Sequence, residues 1–267
     1  MDHSPTTTLA DVIRTETRER QDRPLLTVYD DTVGARTELS YATADNWAAK
    51  SANLLVEGLD LGAGTIVALD LDGHWTAGVL TLACWKAGIA VTGHDAATTA
   101  DVVCCHTSRL AAHPSGPLLV VGDGLRAEPL EPIAPRGDIV LLGEDVHAFA
   151  DDHDGPDVRA TTPALVTATA TLDHAAVLER AAAWRDAVGG GTRVGLAGAL
   201  DGVVGQLLLA GVVTAGGSVV ADRPVPDRPR WQRWATERVT VAAGAPAALA
   251  DAPAGVATIA LEAMDGV

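Results

Sequence analysis

The chain has 267 residues, 48% of them hydrophobic but only 3% aromatic, with a formal net charge of −16. That length suits one large domain or two lobes of roughly 100–150 residues each, with Ala, Val and Leu rather than rings filling the core. Lys50 and Lys86 are the only lysines; nucleic acids and anionic membranes both need clustered cations, so neither is expected as a partner.

Short β-branched runs alternate with longer Ala/Leu-rich segments, the pattern of an α/β protein with a mainly parallel sheet. Leu26–Tyr29 and Thr37–Ser40 are predicted strands. In Tyr41–Gly58, Trp47, Ala48, Ser51, Leu54 and Leu55 form an apolar face at helical spacing. A strand over Ile66–Leu71 and a helix over Trp75–Ala87 follow, the helix stopped by Gly88. Ile89–Thr92, Val102–Cys105, Leu118–Val121 and Ile139–Leu142 are further strands. Asp151–Asp157, DDHDGPD, is polar and acidic and carries Gly-Pro, the marks of a surface linker. It divides the chain into a first α/β lobe (1–150), a linker (151–157) and a second α/β lobe (158–267).

In the second lobe Leu165–Thr169 is a predicted strand and Asp173–Val188 a helix. Arg193–Ala197 (strand), Val203–Thr214 (helix) and Ser218–Ala221 (strand) come next. Asp227–Arg238 (helix), Val239–Ala243 (strand), Pro246–Ala250 (helix) and Thr258–Leu261 (strand) complete the alternation. Val194–Ala221 is long and weakly polar, but Asp201, Gln206 and several glycines interrupt it; strand, helix, strand fits it better than a membrane span of about 20 apolar residues. Arg223, Arg228, Arg230, Arg233 and Arg238 form a basic stretch broken by Asp222, Asp227 and Glu237.

Three cysteines, Cys84, Cys104 and Cys105, form no disulfide framework and suit a reducing compartment. The N-terminus, MDHSPTTTLADV, has neither the basic nor the apolar part of a secretory signal, so a cytoplasmic location is expected. Cys104 and Cys105 are adjacent on a strand, point to opposite faces and do not share a metal ion. No metal and no cofactor are called for.

Ile66–His74, IVALDLDGH, imitates the Asp-x-Asp-Gly-Thr opening of haloacid-dehalogenase phosphatases, in which the first Asp is nucleophile and the second general acid. Val121–Gly124, VGDG, imitates their metal-binding loop, but His74 replaces the threonine and no lysine follows Lys86. The plainer expectation is a strand end whose carboxylates cap the helix Trp75–Ala87.

Three stretches carry a resemblance. Arg36–Leu71 reads RTELSYATADNWAAKSANLLVEGLDLGAGTIVALDL. Ala83–Asp95 reads ACWKAGIAVTGHD, with Lys86, Ala87 and Gly88 as a Lys-Ala-Gly motif. Thr192–Leu249 has matching residues around Glu237–Thr240 and Gly244–Pro246. Together, over roughly residues 30–260 in consistent order, they resemble the N-terminal part of the acyl-adenylate-forming superfamily: acyl-CoA synthetases, luciferases and the adenylation domains of peptide synthetases. The resemblance implies two lobes of mainly parallel sheet flanked by helices. It also implies a Gly/Ser/Thr-rich phosphate loop ending in Pro-Lys-Gly, and here the sequence departs. Leu165–Ala176 reads LVTATATLDHAA, with neither glycine nor lysine. Such a loop needs bare backbone N–H groups and a cation. Thr167–His174 offers Cβ-bearing residues and Asp173, a helix-capping carboxylate that repels a triphosphate.

Gly198–Gly205, GALDGVVG, lacks the ring that the family places beside its acyl pocket. The sequence also reads as stopping short of the family's adenine, ribose and hinge segments and of its catalytic lysine. No residue is therefore assigned a catalytic role. The expectation is a degenerate, non-catalytic binding or interaction module whose uncovered apolar surface meets a second copy or a partner protein. The alternative is a nucleotide- or acyl-binding remnant, or half of an enzyme completed by a partner, using the cleft between lobes. Thr167, Thr169, Thr171, Asp173, His174 and Asp201 are its candidate ligand-binding groups, since open α/β sheets bind ligands at strand C-terminal ends.

Overall fold

The computed structural model describes residues 7–93, 99–124, 126–154, 158–223 and 230–260. Thirteen strands among these residues fall into two sheets flanked by helices. Parts of the predicted linker, the first residues of the helix predicted from Asp227, the last two residues of the stretch Ala83–Asp95, and Leu261 lie outside the described residues.

The chain enters through helix α1 (Leu9–Arg20), where Thr8 and Asp11 form a capping box; the sequence reading missed it because its apolar side is only Leu9, Ala10 and Ile13. Strands β1 (Pro24–Asp30) and β2 (Ala35–Ser40) form an antiparallel hairpin. Ser40 caps α2 (Tyr41–Asn53), which continues as a π-helical turn, Leu54–Gly58. Strand β3 (Ile66–Asp70), helix α3 (Thr76–Ala87) and strand β4 (Ala90–Gly93) follow. Gly88, at φ 68°, ends α3 in the left-handed conformation that glycine adopts without strain.

Strands β5 (Val102–His106), β6 (Leu118–Val121) and β7 (Ile139–Leu141) and the short helix α4 (Leu142–Asp145) lead to β8 (Pro163–Val166) and β9 (Thr171–Asp173). The predicted single strand over Leu165–Thr169 is thus a hairpin, because the chain reverses at Thr167–Ala170. Helix α5 (His174–Val188), strand β10 (Arg193–Ala197), helix α6 (Val203–Thr214) and strand β11 (Ser218–Asp222) match expectation closely. The chain then forms α7 (Arg230–Thr236), β12 (Val241–Gly244), α8 (Pro246–Leu249) and β13 (Ala257–Ala260).

The six-stranded sheet has the order β13-β12-β10-β11-β1-β2, and the seven-stranded sheet the order β7-β6-β5-β3-β4-β8-β9. Among the described residues only the hairpins β1–β2 and β8–β9 are antiparallel. The sheets are not drawn from separate halves of the chain. The N-terminal hairpin pairs through Leu26 with Val219 of β11, while β8, from beyond the predicted linker, pairs through Leu165 with Val91 of β4. The sequence division at 151–157 therefore does not coincide with the division between sheets. Composition marks an exposed connection but says nothing of which sheet edge a hairpin will join.

One hydrophobic core spans both sheets, including Leu26 and Val28 of β1, Val67 and Leu69 of β3, and residues of α2, α3, α5 and α6. A Cβ at Gly78 of α3 would lie 2.8 Å from the Leu26 side chain, so α3 presses directly on β1. Helix α6 is buried from Gly205 to Val213, which accounts for the apolar run Val194–Ala221. No helix among the described residues is long and apolar enough to cross a membrane. Cys104 and Cys105 pack into two different clusters, as alternation along β5 requires, and all three thiols are free and buried.

Candidate functional site

In an open parallel sheet the C-terminal ends of the strands and the loops after them form the usual ligand-binding edge. Two polar places on this edge bear on the sequence-predicted sites. One is the Thr167 turn that leads into α5. The other is a charged cluster beyond β1, β3, β5, β6 and β11.

The Thr167 turn closes on itself. The Thr167 N–H donates to the Ala170 carbonyl at 2.8 Å. The Thr167 hydroxyl donates to the same carbonyl at 3.0 Å and accepts from the N–H groups of Thr169 and Ala170 at 3.3 and 3.0 Å. The start of α5 is equally committed. His174 N–H donates to the Thr162 carbonyl and Ala175 N–H to the Ala160 carbonyl, at 3.1 and 2.9 Å. Ala176 N–H donates to the Asp173 carboxylate at 2.8 Å. A helix N-terminus binds phosphate through unpaired N–H groups; here the first three are occupied and a carboxylate sits on the third.

Of the six sequence-predicted residues, Thr167 and Thr169 are joined by a hydrogen bond within the turn, and the six do not gather around one point. Thr169 and Thr171 are exposed, and Thr167 is consumed by its turn. Asp173 caps α5 as expected. His174 is fully buried and faces the protein interior: its Nδ1 accepts from the N–H of Leu9 at 3.2 Å, joining the starts of α5 and α1. Asp201 is buried in the loop before α6, where its Oδ2 accepts from the N–H of Leu71 at 2.7 Å. Burial raises its pKa above the usual carboxylate value. It fastens the six-stranded sheet to the end of β3. The glycine-rich loop beside it is structural too, since a Cβ at Gly205 would lie 2.3 Å from the Ala199 carbonyl oxygen.

Burial holds the His174 imidazole down at about 4, below its ordinary 6.5. An unfolded chain binds a proton there at pH values where the folded protein does not. Its contribution to stability is therefore complete above about pH 6.5 and is lost as pH falls toward 4. Between pH 7 and pH 5, wild type is expected to lose about 2 kcal/mol more than His174→Gln, read from urea unfolding at both pH values. Equal losses in the two proteins would remove His174 as the cause.

The charged cluster centres on Arg223, 3% exposed and just beyond β11. Its Nη1 donates to Asp30 Oδ2 at 2.6 Å and to Asp123 Oδ1 at 2.9 Å. Its Nη2 donates to Asp72 Oδ2 at 3.0 Å and to His106 Nδ1 at 3.2 Å. Because Nδ1 of His106 also accepts from Ser108 N–H at 3.2 Å, its Nε2 carries the proton toward Asp123 Oδ1, 3.0 Å away. Burial lowers the His106 pKa and the neighbouring guanidinium lowers it further. Burial alone would raise Asp30, but hydrogen bonds from Thr32 and Arg223 hold it below the usual carboxylate range.

The Asp-x-Asp-Gly segment belongs to this edge, in a role the sequence did not suggest. Asp70 accepts from Arg109 Nε at 3.0 Å and pairs with His113 Nε2 at 2.8 Å, while Asp72 is held by Arg223. Neither caps α3, whose N-cap, Trp75, makes no side-chain capping bond; the capping expectation is corrected, since Arg109 and His113 take Asp70 and Arg223 takes Asp72. With both carboxylates in ion pairs, the nucleophile and acid of a phosphatase are not presented. No group of three or more His, Cys, Asp or Glu among the described residues could hold a metal ion.

Of the basic stretch, Arg233 as well as Arg223 is paired with carboxylates. Arg233 meets Asp222 and Asp31, and Arg193 and Arg36 meet Glu237. Burial alone would raise Glu237, yet Arg36, Tyr29 and Arg193 hold it down at about 2. Sequence reading noted Arg223 only as one cation in that stretch. Its partners lie 100 to 193 residues away for Asp123 and Asp30, and no local pattern could have joined them.

The fold is the N-terminal α/β fold of adenylate-forming enzymes. It superimposes on a Rhodopseudomonas palustris protein designated a long-chain-fatty-acid CoA ligase with a TM-score of 0.71 at 20% identity, over 90% of this chain and 63% of that one. For the nonribosomal peptide synthetase FmoA3 the TM-score is 0.69 at 18% identity, over 93% of this chain and 26% of that one. For a Mycobacterium tuberculosis fatty acyl CoA synthetase it is 0.67 at 16% identity, over 91% and 50%. In sequence, 108 residues are 37% identical to a Mycobacterium tuberculosis protein whose family designation states no activity, covering 40% of this chain and 44% of that one. The chain thus spans less than two thirds of each of these proteins. No protein-family profile matches it.

Proposed function

We propose that this chain is a non-catalytic protein on the adenylate-forming fold, acting as a binding or interaction module. The observation that carries the reading is the saturation of the Thr167 turn and the α5 N-terminus: the groups that would receive an ATP phosphate already hydrogen-bond to the protein, and Asp173 adds negative charge. A cytoplasmic location belongs to the same proposal, supported by three free buried thiols, as does a second copy or protein partner. The apolar patch expected to mark that partner's face is not found among the described residues, where Val33 and Leu130 are the large hydrophobics with high exposure. Helices α2, α3, α5 and α6 pack into the core shared with both sheets, and the module reading rests on the closed turn alone.

Calorimetry with Mg-ATP, AMP and a fatty acyl-CoA tests it. No heat of binding is expected with any of the three, and no pyrophosphate release on adding ATP and fatty acids. Micromolar ATP affinity that Asp173→Ala strengthens would instead favour a nucleotide-binding remnant.

A further inference from the structure

Beside Arg223 lies a pocket of about 240 Å³ between the β1–β2 hairpin, the start of α3 and the loop after β6. Its volume is that of about eight water molecules, below the range of drug-sized sites. Val28, Val33, Ala35 and Trp75 supply apolar wall, and Asp30, Asp123 and His74 supply polar atoms.

The charge is unbalanced. Asp30, Asp72 and Asp123 face the single guanidinium of Arg223, and three carboxylates against one cation leave two negative charges over. His74 and His106 do not offset this, because burial, reinforced by the His106 ring and by Arg223, depresses the His74 pKa to about 3 and burial lowers that of His106. Arg223 cannot attract an anion, since both terminal nitrogens are committed to the cluster.

Two polar atoms stay open toward the space. His106 and Arg223 both engage Oδ1 of Asp123, and Oδ2 has no hydrogen bond among the described residues. His74 is 4% exposed and lines the pocket. Its Nδ1 is 2.9 Å from the Thr76 hydroxyl, and its Nε2 has no partner among the described residues.

We propose that this pocket binds a small organic ammonium ion with a short apolar body. The ammonium group meets the carboxylates of Asp123 and Asp30, and the hydrocarbon lies against Trp75, Val33 and Ala35, with the indole able to add a cation–π contact. A bare divalent cation fits less well, because half of the wall is apolar and the carboxylates already hold Arg223. This site is separate from the Thr167 turn and does not depend on whether a nucleotide binds there.

Three probes with one carbon skeleton test the proposal on the intact chain: isopentylamine, 3-methylbutan-1-ol and isovalerate. Titration followed by calorimetry and by melting temperature is expected to show saturable binding of the amine, with the alcohol and the carboxylate at least tenfold weaker. Asp123→Asn, which removes charge from a partly exposed residue, is expected to weaken the amine at least tenfold. Ala35→Leu, at the exposed end of the hairpin, fills the pocket without touching the charges and is expected to abolish binding even if the Asp123 variant folds poorly. Absence of amine binding at millimolar concentration, an amine no tighter than the alcohol, or binding that survives Ala35→Leu would each overturn the site. The ATP titration reads a different location, so either proposal can fail while the other stands.

Discussion

Arg223→Leu is expected to lower the unfolding free energy by about 3–5 kcal/mol, the cost of removing one partner from a buried ion cluster. The substitution strands the carboxylates of Asp30, Asp72 and Asp123, of which Asp30 is buried and Asp123 half-buried, and leaves His106 Nδ1 without its guanidinium donor. It also disconnects the ends of β1, β3, β5 and β6 from β11, so the two sheets lose a tie at the edge where they meet. At about 2–4 °C per kcal/mol for a chain of this size, melting should fall by roughly 6–20 °C. Asp123→Asn in the Arg223→Leu background should recover part of the loss, because one stranded charge disappears. Urea unfolding of the two single variants and the double variant measures the coupling. A loss under about 1 kcal/mol would mean that water rather than Arg223 solvates these carboxylates.

Trp85→Ala is the second large effect, expected to cost about 3–5 kcal/mol. Trp85 is fully buried in α3, and its Nε1 donates to the Ala164 carbonyl of β8 at 3.0 Å. The substitution removes the largest side chain between α3 and the hairpin β8–β9 and leaves that carbonyl without its indole donor. Trp85→Phe keeps most of the packing and loses only the hydrogen bond and part of a ring. It should cost about half as much, so the pair of variants separates cavity from polar penalty. Near-equal losses for Ala and Phe would place the energy in the hydrogen bond instead.

The sequence was legible where structure is local. The strand, helix, strand reading of Val194–Ala221 held because alternation and helical runs are fixed by near neighbours: β10, α6 and β11 fall within a residue of expectation. Helix α1 was missed because only Leu9, Ala10 and Ile13 of its 12 residues are buried. The hairpin at Thr167–Ala170 was read as one strand because four small or β-branched residues carry no turn signature; a threonine side chain, not a glycine, closes it.

What the chain alone determined is the α/β alternation, the opposed faces of Cys104 and Cys105, and a Thr167–His174 segment without glycine or lysine where the resembling family places its phosphate loop. Each depends on residue type and spacing along a few turns of backbone. Only the tertiary structure decided that the N-terminal hairpin joins β11, that Asp70 and Asp72 pair with cations instead of capping α3, and that Arg223 gathers Asp30, Asp72, Asp123 and His106 around one pocket. Those choices are made by which distant surfaces bury together, and a buried guanidinium takes the carboxylates that the folded backbone brings within reach, whatever their distance in sequence.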